Sequence, residues 1–319
     1  MKIPSVAAKD LLTVTDLTRQ EMLEIFKFSA KLKKETLAGK RHKFLEGLTL
    51  AMIFEKSSTR TRVSFETGIF QLGGYALFLS KGDIQLARGE TVADTARVLS
   101  GYVDGIMVRA YEHGTLIDLA RTATVPVING LTDLYHPCQA LTDYFTIFER
   151  DPAFPRIKLT YVGDGNNMAH SLLLCGAILG ADVAIASPKE YTCDRSIIER
   201  AFSIASSTGS RIDITTNIDQ AVAGAQYLYT DVWVSMGQEK GAAKRKKALS
   251  RYTITMPLLN KAAPGCRVMH CLPAHRGEEI TDEVLASNRS IVFEQAENRL
   301  HLQKGLMCAF MSKHKLFKK

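Results

Sequence analysis

The chain has 319 residues, enough for two ordinary domains with a hydrophobic core each. Hydrophobic residues make up 46% and charged residues 23%, a composition typical of a soluble globular protein. The net charge is +8, but aromatic residues are not interleaved with the basic ones, so small anionic substrates are favoured over nucleic acid. The densest basic runs, 240–251 and 313–319, are predicted to be a solvated loop and a terminal tail.

The sequence indicates a cytoplasmic location. Its six cysteines show no C-x-x-C pairing, which favours reduced thiols over disulfides. Residues 1–10 have neither the apolar core of a signal peptide nor the character of a transit peptide. The most apolar stretch, 171–186, contains two glycines and an aspartate and is too short to span a bilayer. We therefore expect a soluble cytoplasmic protein.

The first elements of the chain have clear boundary signals. Thr18-Arg19-Gln20-Glu21 has the form of a capping box and predicts the start of a helix. Residues 48–54 are nearly all apolar, as in a strand that is covered on both faces. A helical pattern follows this strand and ends at Gly73-Gly74, a helix stop signal.

The turn between this strand and helix reads Ser57-Ser58-Thr59-Arg60-Thr61-Arg62. The first turn of a helix has unpaired N–H groups and the positive end of the helix dipole, so an anion there would meet donors, hydroxyls and guanidinium groups together. The alternative for any single residue is a helix cap or a solvated arginine. There is no Walker A lysine motif, which argues against an ordinary nucleotide P-loop. The pattern predicts a phosphate site.

Further polar residues follow the next predicted elements, which are strands at 75–79, 105–108 and 124–128 and a helix at 91–99. Arg109 comes directly after a strand, where open α/β sheets bind ligands, although a surface arginine is the alternative. Pro137 suits the first turn of a helix, so His136 and Gln139 would share one face at its amino end. These two side chains can therefore converge on one ligand.

Two prolines in Asp151–Pro155 must break this helix, and we place a domain boundary near residue 150. The chain then repeats its outline, with a strand at 159–162, a turn, a helix at 168–179 and a strand at 183–186. Gly163 and Gly165 suggest dinucleotide binding, but the third glycine and a ribose-binding acid are missing. Asn167 instead offers a neutral amide at a helix start, suited to a carboxylate.

The remaining predicted strands are 227–230, 267–272 and 290–293, followed by a helix that opens at 297. Asp231 follows the first of them and is interpreted either as a turn cap or as a cation ligand. His270, Cys271 and His275 suggest zinc, but this loop supplies no fourth ligand and alternating strand residues face opposite sides. We therefore predict no metal site.

Six motifs occur in the order SSTRTR, HPCQ, DGNN, DVWVSMGQE, HCLPAHRG and ENR. Together they resemble the aspartate and ornithine carbamoyltransferase family over nearly the whole chain, and SMG and HCLP match its ornithine branch. The resemblance implies an α/β fold of two doubly wound parallel-sheet domains linked by crossing helices. It implies carbamoyl-phosphate binding by 1–150, ornithine binding by 151–299 and a helix, 300–319, that packs back on the first domain. It also implies a homotrimer or a multiple of trimers.

The resemblance further implies transfer of a carbamoyl group to the δ-amino group of L-ornithine, giving citrulline and phosphate without a metal or organic cofactor. By position, the carbamoyl-phosphate contacts fall on Ser58, Thr59, Arg60, Thr61, Gln85, Arg109, His136, Gln139, Cys271, Leu272 and Arg299. The ornithine contacts fall on Asn167, Asp231, Ser235 and Met236. The residues that it implies for catalysis are Arg60, Arg109, His136, Asp231 and Cys271. The expected partners are these two substrates, and neither nucleic acid nor a membrane.

Two alternatives stay open. One is a related carbamoyltransferase that uses putrescine, N-acetylornithine or aspartate, although Asp231 with Ser235 and Met236 favours a free α-amino group. The other is a catalytically silent paralogue of the same fold. A non-enzyme would have no use for a complete set of functional side chains, and the set is intact in Arg60, Arg109, His136, Cys271 and Arg299.

Overall fold

A computed structural model of the protein describes residues 1–82, 84, 89–234 and 240–313. The chain forms two compact units, Met1–Phe145 with the segment from Glu297, and Thr146–Ala296. The division falls inside two helices, α5 (Pro137–Arg150) and α12 (Val292–Met311), each of which contributes residues to both units. Each unit is built on one parallel sheet, and the predicted α/β fold class is confirmed.

The first unit has a four-stranded parallel sheet in the order β2-β1-β3-β4. Its strands are β1 (Thr49–Phe54), β2 (Tyr75–Ser80), β3 (Gly105–Arg109) and β4 (Val127–Leu131). Its helices before α5 are α1 (Arg19–Leu37), α2 (Thr59–Gln71), α3 (Val92–Ser100) and α4 (His113–Thr122). β3 is buried throughout and β1 is buried after Thr49, which explains the continuous apolar runs of these central strands.

Local signals define the helix boundaries in this unit. Thr18 caps α1 in a reciprocal capping box, in which the Glu21 carboxylate accepts a hydrogen bond from the Thr18 N–H (2.8 Å). Ser58 caps α2, and its Oγ accepts a hydrogen bond from the Thr61 N–H (3.3 Å). Beyond α2, Gly74 has no room for a side chain, because a Cβ would lie 2.8 Å from the Leu48 carbonyl oxygen. The strand, turn and helix therefore form as predicted.

The second unit has a five-stranded parallel sheet in the order β7-β6-β5-β8-β9. Its strands are β5 (Lys158–Val162), β6 (Asp182–Ala186), β7 (Ile212–Thr215), β8 (Tyr227–Thr230) and β9 (Arg267–His270). Its helices are α6 (Asn167–Leu179), α7 (Arg195–Thr208), α8 (Ile218–Val222), α9 (Ala242–Leu249), α10 (Met256–Leu259) and α11 (Asp282–Ala286). Every residue of α6 is buried, which accounts for the most apolar stretch of the sequence. In the described ranges, no helix combines the length and apolarity needed to cross a membrane.

Two expectations about the last third of the chain are wrong. Residues 290–293 form no strand: Ser290 makes one isolated parallel bridge to Val268, and α12 already begins at Val292. A short apolar run is compatible with either a strand or a buried helix, and here the helix is formed. The basic run 240–251 contains α9 rather than a loop, since its alanines and lysines are strong helix formers.

Two strand boundaries also differ from the prediction. The strand expected at 124–128 is β4, which begins at Val127. The strand expected to reach Leu272 ends at His270, so Cys271 and Leu272 lie in the loop that follows β9. The candidate site residues His136, after β4, and Cys271 and Leu272, after β9, consequently lie in loops at the carboxyl ends of their sheets.

Within the first unit, the buried residue Lys304 of α12 contacts both α1 and α2. Its Nζ donates hydrogen bonds to Thr36 Oγ1 (2.9 Å) and Gln71 Oε1 (2.8 Å). Both acceptors are neutral, and burial lowers the pKa of Lys304 to about 8. The folded state therefore holds this proton less tightly than an unfolded chain does.

Replacing Lys304 with methionine should remove an alkaline pH dependence of stability. As the pH rises, the folded protein loses the Lys304 proton at a pKa of about 8, before the unfolded chain does. With an unfolded pKa of about 10.4, the wild-type free energy of unfolding should rise by about 3 kcal/mol relative to the variant between about pH 7 and 10.5. Denaturant unfolding across this range measures the difference, with Lys247→Met as the exposed control. Parallel pH profiles for the wild type and Lys304→Met would refute the prediction.

Candidate active site

The polar residues of the first unit gather at the carboxyl ends of β1, β3 and β4. The strand order reverses between β1 and β3, and ligands of open α/β sheets bind at such a switch point. Phe54 at the end of β1 pairs with Arg109 at the end of β3, so the turn from Ser58 to Thr61 starts close to Arg109. His136 lies a few residues beyond β4, at the same edge of the sheet.

Arg299, on α12, joins the Ser58–Thr61 turn to α5. Its Nη2 donates a hydrogen bond to Thr61 Oγ1 (2.9 Å), and its Nη1 donates to Gln139 Oε1 (3.0 Å). Thr61 Oγ1 is 3.1 Å from Ser58 Oγ, which donates to it, and Gln139 Nε2 donates to Asp143 Oδ1 (2.8 Å). Thr61, Gln139 and Asp143 are fully buried. The guanidinium group is therefore fixed on two sides without a ligand.

The two arginines of the turn have different surroundings. Arg62 donates from Nε to Glu66 Oε1 (3.0 Å), and its guanidinium carbon lies 3.7 Å from the centre of the Phe78 ring. Arg62 thus fits the alternative given for a single arginine of this turn, that of a surface side chain without a ligand. Arg60 is half-buried, and its charge acts on His136.

His136 lies in a strongly positive environment. Burial and the charges of Arg299, Arg109 and Arg60 lower the pKa of His136 well below its usual value of 6.5. The imidazole is therefore neutral at physiological pH, with one N–H donor and one acceptor nitrogen. Cys138 has a structural role nearby: its thiol donates to the Asn129 carbonyl oxygen (3.3 Å), and burial raises its pKa to about 12.

The neutral state of His136 can be tested directly. Because burial and three arginines all lower its pKa, the ring should stay neutral at pH values where an ordinary histidine is already protonated. Nitrogen chemical shifts of ¹⁵N-labelled histidine, assigned by comparison with His136→Gln, measure this in the ligand-free protein. A His136 midpoint near about 6.5 would show the electrostatic interpretation to be wrong.

The second unit has a comparable arrangement between β5 and β8, where its own strand order reverses. Asp231 follows β8 directly and is 6% exposed. Its Oδ2 accepts a hydrogen bond from Asn166 Nδ2 (2.8 Å), and its Oδ1 accepts from the Cys271 thiol (2.9 Å) and the Val232 N–H (2.8 Å). The carboxylate therefore links the residues that follow β5, β8 and β9.

Asn166 contacts Asp231 in this candidate site, although it was not predicted from the sequence. Asn167 was expected at the helix start and is the first residue of α6, but Asn166 is the cap, and its Oδ1 accepts from the Met168 N–H (2.9 Å). Asparagine before an apolar helix is a known N-cap signal and could have identified it. Gly165 is required for packing, because a Cβ there would lie 2.3 Å from the Cys193 nitrogen.

The loop with Cys271 and Leu272 is held by His270. Leu272 has a φ of 57°, in the left-handed region that branched side chains rarely adopt, and its N–H donates to His270 Nδ1 (2.9 Å). His270 Nε2 therefore carries the proton and donates to Glu279 Oε1 (3.1 Å). Burial favours the neutral acid, but hydrogen bonds from His270 and the His275 N–H outweigh it and lower the pKa of Glu279.

Two clusters of described residues have ligand atoms within 4.8 Å of one another, as a metal ion would require; they are Asp231 with His270 and Cys271, and His275 with Glu278 and Glu279. In the first cluster, the His270 nitrogens and the Cys271 thiol already make the hydrogen bonds described above. In the second, Glu278 Oε1 accepts a hydrogen bond from Lys246 Nζ (2.5 Å). A cation would have to displace these contacts, and the expected lack of a metal cofactor stays a prediction.

The predicted site residues thus fall into two groups. The first unit contains Ser58, Thr59, Arg60, Thr61, Arg109, His136, Gln139 and Arg299. The second unit contains Asn167, Asp231, Cys271 and Leu272. Gln85, Ser235 and Met236 lie outside the described residues. The roles assigned to all of these residues stay predictions.

This architecture defines a class, that of two-unit α/β enzymes with polar side chains at the switch point of each parallel sheet. Residues 9–149 match the family model described as aspartate/ornithine carbamoyltransferase, carbamoyl-P binding domain. Residues 156–310 match the model described as aspartate/ornithine carbamoyltransferase, Asp/Orn binding domain. The chain belongs to the aspartate/ornithine carbamoyltransferase family, which confirms the resemblance seen in its motifs.

Individual relatives are similar over almost their full length. A Thermococcus kodakarensis protein named ornithine carbamoyltransferase is 52% identical over 309 residues, 97% of this chain and 98% of the relative. A Pyrococcus furiosus protein named ornithine carbamoyltransferase, anabolic, is 51% identical over 97% of this chain and 98% of its own length. The solved ornithine carbamoyltransferase structure from Pyrococcus furiosus superimposes with a TM-score of 0.94 and covers 98% of this chain and 99% of that chain.

Proposed function

We infer that the protein transfers the carbamoyl group of carbamoyl phosphate to the δ-amino group of L-ornithine, giving L-citrulline and phosphate. The observation that carries this inference is the Arg299 guanidinium, which is held by Thr61 and Gln139 at the switch point of the first unit. A fixed cation beside a helix amino terminus suits a phosphorylated substrate. Relatives that are about half identical over nearly the whole chain carry the name ornithine carbamoyltransferase.

The amino terminus of α2 is the proposed binding site for the phosphate group of carbamoyl phosphate. The N–H groups of its first turn, the hydroxyls of Ser58 and Thr59 and the Arg60 guanidinium would contact the phosphate oxygens. Gln85 is proposed to contact the same ligand. The negative charge of the phosphate is favoured there by the arginines that lower the pKa of His136.

The carbamoyl group is proposed to lie beside Thr61, Arg109 and His136, with Gln139 and Arg299 supporting it. The carbonyl oxygen becomes negative as the amine attacks, and fixed donors at that oxygen stabilise the transition state. A neutral His136 can donate one N–H without adding a formal charge to a site that already has three arginines. Cys271 and Leu272 are proposed to contribute the remaining contacts.

The amine must be neutral before it can attack. An alkyl amine with a pKa of about 10.4 is about one-thousandth neutral near pH 7.4, a cost of about 4 kcal/mol. Desolvation beside arginines favours the neutral form, and the phosphate charge offsets part of this effect. Attack forms a C–N bond and breaks the carbamoyl C–O bond, and we propose that the departing phosphate accepts the amine proton.

The amino-acid end of ornithine is proposed to bind the second group of residues. Asn167 would contact the α-carboxylate through its side-chain amide, and Asp231 with Ser235 would bind the α-amino group. Met236 would pack beside them, while Asp231 and Cys271, which share a hydrogen bond of 2.9 Å, would orient the δ-amine.

The free cysteine thiols support the cytoplasmic location that we propose. The relative named as anabolic favours arginine synthesis as the direction of the reaction.

Citrulline formation is the direct test of the proposed function. The purified protein should carbamoylate L-ornithine in preference to aspartate, putrescine and N-acetylornithine, each supplied with carbamoyl phosphate and assayed for its own product. Preference for another acceptor would contradict the assignment of Asp231, Ser235 and Met236. Binding of carbamoyl phosphate without any turnover would instead indicate the silent paralogue.

The neighbouring arginines of the turn give a matched pair of variants. Arg60→Ala should lower kcat/KM for carbamoyl phosphate by about a hundredfold or more, because a charged contact to the reacting group is lost. Arg62→Ala removes the same charge two residues away, where Glu66 and Phe78 hold the side chain, and should change kcat/KM by less than about threefold. Equal losses in the two variants would refute the assignment of Arg60.

We also propose that the protein forms a homotrimer or a multiple of trimers, as the family resemblance implies. Exposed apolar residues of the first unit support self-association: Phe70 is 77% exposed and Tyr75 65% exposed, and Val63 and Leu77 are also exposed. These residues belong to α2 and its neighbour β2, an edge strand. Exposed apolar side chains on an edge strand and on the helix that precedes it are characteristic of an interface.

Phe70→Glu should therefore reduce the assembly state in solution, because it places a charge in the proposed interface. Light scattering coupled to size-exclusion chromatography would compare its mass with that of the wild type. Phe202→Glu, on a half-exposed position of α7, is the control and should leave the mass unchanged. A monomeric wild type, or a Phe70→Glu variant of unaltered mass, would contradict this use of the surface.

A further inference from the structure

A buried ion pair lies beside Asp231 but is not among the predicted substrate contacts. Asp164 precedes Gly165 in the turn after β5 and is 3% exposed. Its Oδ2 accepts a hydrogen bond from Arg245 Nη1 (2.6 Å). Arg245 belongs to α9, and its guanidinium carbon lies 4.8 Å from the centre of the Tyr191 ring. The ion pair therefore connects α9 to the β5–α6 turn.

The same turn also holds Asp231. Asn166, two residues after Asp164, donates from Nδ2 to Asp231 Oδ2 (2.8 Å), while its Oδ1 caps α6. One short turn thus binds α9 through Asp164 and the residue after β8 through Asn166. A displacement of this turn would change the position of the Asp231 carboxylate.

Opposing effects act on the pKa of the Asp164 carboxyl group, and burial is the largest of them. Burial and, to a smaller extent, the Asp231 carboxylate raise the pKa of Asp164, and Arg245 opposes them, leaving it at about 7. Burial also raises the pKa values of Tyr161 and Cys193, which face the same turn and stay uncharged at neutral pH. Among the described residues, Arg245 is the cation that lowers the pKa of Asp164 and pairs with its carboxylate.

We propose that Asp164 and Arg245 are positioning residues for the amino-acid substrate and act through Asn166 and Asp231. The proposal deepens the proposed function and rests on it. With the ion pair formed, the turn is fixed and Asp231 is oriented towards the cationic end of the substrate. Without the ion pair, the buried Asp164 carboxylate lacks the Arg245 cation, which is strongly unfavourable. Either the turn then rearranges or the carboxylate takes up a proton. The proposed carbamoyl-phosphate contacts of the first unit do not involve this ion pair.

The substitution Asp164→Asn separates positioning from general stability, because it keeps the shape and removes the charge. With a pKa of about 7, the wild-type carboxyl is charged at alkaline pH and protonated in acid. At about pH 8.5 the ornithine KM of the variant should be about tenfold that of the wild type. At about pH 6, where roughly nine-tenths of the wild-type carboxyl is protonated, the two KM values should agree within about twofold. Ionisation of ornithine itself affects both proteins equally and cancels in the ratio.

Substitutions on α9 supply the controls. Arg245→Met should raise the ornithine KM at alkaline pH as Asp164→Asn does, and Arg245→Lys should restore part of the loss. Lys247→Met removes one exposed charge from the same helix and should leave the ornithine KM within about twofold of the wild type. The KM for carbamoyl phosphate should stay within about twofold of wild type in all of these variants.

Different results would refute the proposed carbamoyl transfer and the positioning role of Asp164 and Arg245. A wild type that forms no citrulline would overturn the proposed function and this inference with it. A wild type that forms citrulline, with a ratio of ornithine KM values that is the same at acid and alkaline pH, would overturn the inference alone. An equal rise in the KM for carbamoyl phosphate would also overturn it, because the effect would then be a general loss of structure.

Discussion

The buried guanidinium group of Arg299 is the constraint on which the candidate phosphate site depends. A buried cation is costly unless its hydrogen bonds are made, and Arg299 donates to Thr61 and Gln139. These two hydrogen bonds tie the start of α2 and the start of α5 to α12. The residues closest to the proposed reaction are held by a contact that spans 238 positions of the chain. Protein contacts therefore hold these side chains in place without a bound substrate.

The second unit uses a carboxylate in the corresponding place. Asp231 accepts hydrogen bonds from Asn166 and Cys271, so three loops that follow β5, β8 and β9 meet at one side chain. In both units, parallel strands bring the ends of separate segments to one edge, and the reversal of strand order leaves room for a ligand between them. A cationic site in one unit and an anionic site in the other suit an anionic carbamoyl donor and an amine acceptor.

The sequence alone predicted what depends on neighbouring residues. The Thr18 capping box, the strand–turn–helix around Ser58 and the proline at the start of α5 have local causes, and the structure contains all three. The hydrophobic pattern gave a wrong prediction at 290–293, where a strand was expected and α12 begins instead. The contacts of Arg299 with Thr61 and of Arg245 with Asp164 join residues far apart in the chain, and no local pattern encodes them. The roles of single residues came from the family motifs.

Equilibrium binding of carbamoyl phosphate in the absence of ornithine measures how far the affinity of the first unit for this substrate depends on Arg299. Calorimetric titration should give saturable binding to the wild type and binding that is weaker by about a hundredfold or more in Arg299→Met, because the variant loses the fixed cation. Thermal unfolding of both proteins would verify that the variant is folded. A folded Arg299→Met variant that binds carbamoyl phosphate as tightly as the wild type would show that the Arg299 guanidinium group does not hold the phosphate site.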